Sequence, residues 1–185
     1  NTACDTIDIV FGDMKYDESK TPKYTFQRYK VTYSCERSKL PDKSAPPLPG
    51  NKFPPINAFA VYKTKVIWDE TGSNWKNPRT DGNNATYEKQ LVADYIEDLV
   101  FLPIDDEGKL INPPPTINNA TKDKLYKIKT VDIALSIRST KKFYRSDKDR
   151  TKFTLNNPLR KKTRNDKYFR ETIVVTAHAR NMGTL

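Results

Sequence analysis

Thr130-Val131-Asp132-Ile133-Ala134-Leu135-Ser136-Ile137-Arg138 is the stretch on which the fold turns. Val131, Ile133, Leu135 and Ile137 share one parity; Asp132, Ala134, Ser136 and Arg138 share the other. That period of two marks a half-buried β-strand. The alternation returns near the C-terminus, where Ile173, Val175 and Ala177 oppose Thr172, Val174 and Thr176. It also opens the chain in Thr6-Ile7-Asp8-Ile9-Val10-Phe11, which Gly12-Asp13 is expected to end. Tyr24 to Tyr33 reads as a second strand. Tyr29, Val31 and Tyr33 lie on one face and Tyr24 and Phe26 on the other, which predicts a bulge near Gln27-Arg28. Ala58 to Trp68 is a further strand. In Leu91 to Ile104, Leu91, Val92, Tyr95 and Ile96 have the spacing of a short helical turn, and Leu99 to Leu102 that of a strand stopped by Pro103.

The connections are long and polar. Residues 40–57 hold Pro41, Pro46, Pro47, Pro49, Pro54 and Pro55, which excludes regular structure inside a sheet or helix and predicts a surface loop or arm. Asp69 to Thr86 is polar and turn-rich, and Pro113 to Pro115 mark another loop. The sum is about six strands and little helix: an α+β, predominantly β architecture of antiparallel strands, expected as a single domain over 1–185. A chain of 185 residues suffices for one sizeable core. Only 36% of it is hydrophobic, so that core must be economical, while 11% aromatic content argues against disorder. No apolar run approaches the roughly 20 residues of a membrane span, so a soluble globular domain is expected.

Charge is unevenly placed. Residues 138–170 hold 13 Lys/Arg against 3 Asp/Glu, so this segment carries the whole net charge of +10. Within it, cations interleave with rings, the combination that single-stranded nucleic-acid binders use. Lys141, Lys142, Arg145, Arg160, Lys161, Lys162, Arg164 and Lys167 are the candidate polyanion-binding residues. A solvated, solubilising loop is the competing reading, and no nucleic-acid-binding fold signature accompanies the segment. The two cysteines, Cys4 and Cys35, are too few for a metal site and form no redox C-x-x-C pair. They read as one structural disulfide of an exported protein, with two buried thiols as the alternative.

Catalytic signals are poor. His178, the single histidine, sits in the last strand, and no nucleophile elbow, phosphate loop or zinc-protease motif occurs. Asp105-Asp106-Glu107-Gly108 clusters oxygens beside a glycine but lacks the alternating acidic spacing of a Ca²⁺ loop, so it reads as a solvated turn. Neither an enzyme nor a metal or cofactor is expected.

Two blocks give the chain a family resemblance. Gln90-Leu91-Val92-Ala93-Asp94-Tyr95-Ile96-Glu97-Asp98-Leu99-Val100-Phe101 with the following Asp105–Gly108 turn is similar to a block of PilW-type minor pilins of type IV pili. Lys129 to Ser139 resembles that family's next strand. Tyr168-Phe169-Arg170-Glu171-Thr172-Ile173-Val174-Val175-Thr176-Ala177, with Ala179-Arg180-Asn181, resembles its closing strand and terminal Arg-Asn. Cys4-Asp5 and Asp8-Ile9-Val10-Phe11 fit the stretch just past the family's N-terminal helix; residues 13–89 match nothing in it. The resemblance implies a pilin-like soluble head whose hydrophobic anchoring helix is absent from this chain. It implies other minor pilins and the major pilin as partners, and a role in priming assembly and at the filament tip. It implies residence in the inner membrane and periplasm, through that helix, and then at the cell surface. The minor pseudopilins of type II secretion share the fold and are the rival reading, beside a DNA- or polyanion-binding tip module using residues 138–170. Apolar surface left bare around Ile7, Ile9 and Val131 to Ile137 is the expected mark of an assembly role.

Overall fold

The computed structural model describes residues 4–78, 85–116, 122–153 and 160–179. It is predominantly β, with antiparallel pairing throughout its strand ladders. The chain forms two compact units: Thr6–Asp94, and the residues from Tyr95 onward together with Cys4 and Asp5.

The N-terminal unit is built on β1 (Ile7–Tyr16), β2 (Tyr24–Arg37) and β3 (Phe59–Asp69), with the short β4 (Asn74–Trp75) against β3 and β5 (Tyr87–Ile104) following β3 in the strand order. β1 does not stop at Gly12-Asp13. It runs on to Tyr16 because the Phe26 ring lies over Gly12, filling the space where a side chain would stand. The expected bulge near Gln27-Arg28 is likewise absent: β1 and β2 pair without a shift from Ile7↔Tyr33 to Tyr16↔Tyr24. The change of parity reflects aromatic residues on both faces, Tyr24 and Phe26 being more than half exposed and Tyr29 buried. Buried Val31, Ile56, Ala58, Ala60 and Val61 make this unit's core; full burial of an aliphatic side chain the size of Val31 or Ile56 contributes about 1.5–3 kcal/mol.

The proline-rich segment is an arm folded back on itself. Asp42 and Ile56 donate backbone hydrogen bonds to the Pro54 and Leu40 carbonyls, and Leu48 donates to Lys52. Gly50 and Asn51 turn its tip with φ of 80° and 57°, the left-handed conformation that Gly and Asn tolerate best.

In the C-terminal unit, β5 pairs with β6 (Thr130–Lys142), which pairs with β9 (Tyr168–His178). On its other side β5 meets Cys4 at Leu99. β7 (Lys148–Phe153) and β8 (Lys161–Asp166) form a separate two-stranded hairpin out of the basic segment. The single described helix, α1 (Lys122–Leu125), is four residues long. No helical turn occupies residues 91–96; β5 is strand throughout. Lys89 and Tyr95 have φ of 48° and 62°, and the β5–β6 register shifts between Ile96 and Asp98. Each irregularity breaks the alternation of a strand, and that produces the spacing that mimics a helix. Both cysteines are disulfide-bonded, giving Cys4–Cys35. Closing such a loop contributes about 3–4 kcal/mol in the chain-entropy treatment.

Candidate functional site: two faces of the β5–β6–β9 sheet

Cross-strand partners share a face of a sheet, so the register assigns every side chain. One face carries Leu99, Leu135 and Ile173 in a row, Phe101, Ile133 and Val175 in the next, and Pro103, Val131 and Ala177 in a third. It is apolar from edge to edge. Yet Val131, Ile133, Leu135 and Ile137 are only half-buried, and Ile173 and Val175 are 46% and 56% exposed.

The opposite face carries Asp98, Ser136 and Arg138, buried at 0%, 4% and 7% exposure, beside buried Val100 and Ala134, while Val174 on β9 is 49% exposed. Charged side chains are thus closed in at the centre of this sheet, and β9 is open on both faces from Ile173 to His178. Ionic pairing makes the burial of these charges tolerable. Arg160 Nη1 donates to Asp98 Oδ1 at 2.9 Å, and its Nη2 donates to Asp5 Oδ1 at 2.5 Å. Arg170 grips Asp166 with two hydrogen bonds, 2.8 and 2.6 Å long, and Glu97 with a third at 3.1 Å. Arg164 adds a looser approach to Glu97 at 3.7 Å. Arg138 lies over the Tyr168 ring at 4.2 Å and nearer its limit, 5.8 Å, from Tyr95. The register shift between Ile96 and Asp98 leaves Glu97 as the extra residue, which frees two successive carboxylates for this network.

The electrostatics follow from burial and pairing. Burial would raise the Asp166 carboxyl, but the Arg170 hydrogen bonds, the Tyr168 N–H and the charges of Arg170 and Arg138 outweigh it and hold the group below the usual carboxylate range. Burial would lower Arg170; Asp166 and Glu97 more than reverse that. Asp98 Oδ2 and the Nε atoms of Arg138 and Arg164 are buried without a hydrogen-bond partner among the described residues. This arrangement clamps strands; it presents no nucleophile–base pair.

The structure disperses the eight candidate polyanion-binding residues. Lys141 and Lys142 are exposed at the end of β6, and Arg145 is exposed in the following turn. Phe143, between them, is 69% exposed and packs against Tyr144 and Phe169. Arg160 and Arg164 are drawn into the carboxylate network, and Lys167 approaches Asp147 at 3.8 Å. Lys161 is exposed at the start of β8; the Lys162 side chain lies outside the described residues. Glu97 and Asp98 were not legible as the partners of those arginines. The available signal was two adjacent carboxylates inside the otherwise apolar run from Tyr95 to Ile104, where an unpaired charge would be costly.

Asp105 caps its own turn, its Oδ1 accepting from the Glu107 and Lys109 N–H groups, with Gly108 at φ 78°. His178 is exposed, paired in register with Thr130. Among the described residues, no group of three or more His, Cys, Asp or Glu side chains is placed to hold a metal, and no helix is long and apolar enough to cross a membrane. No family model matches the chain, and neither a curated protein nor a solved structure is significantly similar to it.

Proposed function

We propose that this chain is the head domain of a type IV minor pilin, a non-enzymatic subunit that primes filament assembly and contacts other minor pilins and the major pilin. The observation that carries the reading is the apolar sheet face, closed on β5 at Leu99 but half-open along β6 and exposed on β9 at Ile173 and Val175. Contiguous exposed apolar surface on a folded domain marks a place where another apolar element sits. An amphipathic or hydrophobic helix suits a broad, gently twisted sheet face of Val, Ile, Leu and Phe, and a filament subunit supplies such a helix. The disulfide accords with an exported protein, which fits a subunit held at the inner membrane, facing the periplasm, and displayed afterwards at the cell surface.

The test uses the open face without touching the core. Val175→Asp, at a 56% exposed position, is expected to change the stability of the isolated chain by no more than about 0.5 kcal/mol. The same substitution in the native gene should abolish piliation and the capture of sister minor pilins. Normal pili in a strain lacking the gene would end this reading, as would wild-type piliation with Val175→Asp.

A further inference from the structure

We propose that the β1–β3 face of the N-terminal unit binds single-stranded nucleic acid, Lys63 and Lys65 taking phosphates while the Phe11 ring stacks on a base. This site is separate from the open β5–β6–β9 face and from residues 138–170, and it does not depend on the assembly reading.

Three cross-strand rows build it. Ile7, Tyr33 and Lys63 form the first, Ile9, Val31 and Lys65 the second, and Phe11, Tyr29 and Ile67 the third. Ile9, Phe11, Val31, Tyr33, Lys63 and Lys65 of these rows, with Tyr87, line an open recess of about 310 Å³. Its cations are fixed in place. Lys63 Nζ lies 5.8 Å from the centre of the Tyr33 ring and 5.5 Å from that of Tyr87. Lys65 Nζ sits 4.2 Å from the centre of the Tyr29 ring and 5.8 Å from that of Phe11. The Tyr87 hydroxyl holds the Lys63 ammonium above its usual range despite some burial, so the group stays charged.

Lys63 and Lys65 stand in successive rows of one face, lining one recess, and have no counter-charge there. In the same unit Lys30 is paired with Asp8, Lys76 with Asp69 and Lys89 with Glu36. Among the described residues, neither Lys63 nor Lys65 is within ion-pair distance of a carboxylate. On β1 the next acid of this face is Asp13, opposite Gln27 and one row beyond Phe11. An anion is therefore the complement this face lacks.

The rings select which anion. Phe11 is 39% exposed and stacks on Tyr29 at 5.6 Å and 28°, offering a supported π-face. An acidic peptide of Asp and Glu alone has no aromatic ring to use it, and a duplex hides its base faces. A membrane surface calls for a protruding apolar wedge, whereas this is a recess. Lys63 and Lys65 are two residues apart on one strand, about 6.6 Å along it at about 3.3 Å per residue, close to the repeat of phosphates in an extended single strand. Charge for the backbone and rings for the bases is the general recipe for such binding.

Fluorescence anisotropy with a short labelled oligo-thymidine at low salt tests the site. Binding should weaken with salt at a slope near −1.4 in log K against log[salt], about 0.7 for each of two phosphates. Lys63→Glu/Lys65→Glu should abolish it, and Phe11→Leu, which keeps volume but removes the π-face, should weaken it by about fivefold or more. Lys141→Glu/Lys142→Glu/Arg145→Glu should leave it unchanged. Far-UV circular dichroism verifies folding, with Lys63→Gln/Lys65→Gln as the milder pair, for which at least a tenfold loss is expected. The proposal is overturned by absence of oligonucleotide binding, by loss in the 141/142/145 variant with retention in the lysine-pair variants, or by no effect of Phe11→Leu. Duplex or poly-glutamate binding as tightly as the single strand overturns it too.

Discussion

Two sets of cations, one in each unit, are held in contrasting ways. In the C-terminal unit, arginines from the basic segment pair with buried and half-buried carboxylates: Arg160 with Asp98 and Asp5, Arg170 with Glu97 and Asp166. In the N-terminal unit, Lys63 and Lys65 lie over rings and meet no carboxylate among the described residues. The segment that carries the whole surplus of +10 thus uses part of it internally, while a stretch with no comparable surplus keeps two half-buried cations without a carboxylate among the described residues. Net charge along a sequence locates charged residues; pairing decides which of them remain available to a partner.

The sharpest way to break the comparison is to remove one buried carboxylate. Asp98→Ala strips Arg160 of its most buried partner, and losing one member of a buried pair costs about 3–5 kcal/mol. Urea unfolding measures it, and a loss under 1 kcal/mol would mean that the network is ornamental. Acid is the next lever. Asp166 is held below its ordinary value in the fold, so its contribution is complete above the unfolded-state value near pH 3.9. That contribution is lost as pH falls through the lower folded value. Arg170→Gln should flatten this acid limb in thermal melts between about pH 2 and 5, and an unchanged limb would assign the acid sensitivity elsewhere. The smallest effect belongs to the lysine face. Lys65→Ala removes a half-buried cation–π contact and should cost about 0.5–2 kcal/mol. A cost above 2 kcal/mol would make Lys65 a structural residue and erase the contrast between the units.

Local alternation made β6, β9 and the first half of β1 legible, because each is a strand whose faces differ in polarity. The continuation of β1 past Gly12 was hidden, since a glycine usually marks a stop and only the distant Phe26 ring explains its place in the ladder. β5 was half misread because its irregular backbone at Lys89 and Tyr95 and its extra residue Glu97 scramble the period. The β7–β8 hairpin left no apolar alternation to find, its strands being Lys-Asp-Arg-Thr-Lys-Phe and Lys-Lys-Thr-Arg-Asn-Asp. Among the candidate site residues, the cysteine pair was legible from number alone. The engagement of Arg160 and Arg170 was not, because their partners lie 62 and 73 residues away.

The reach of Arg160 to Asp5 spans 155 residues, and it sets a timetable for biogenesis. Asp5 and Asp98 share that one counterion, so neither is neutralised by it until Arg160 has been made and has docked. Contacts of such long range slow folding, which makes this clamp a late step in the maturation of the C-terminal unit.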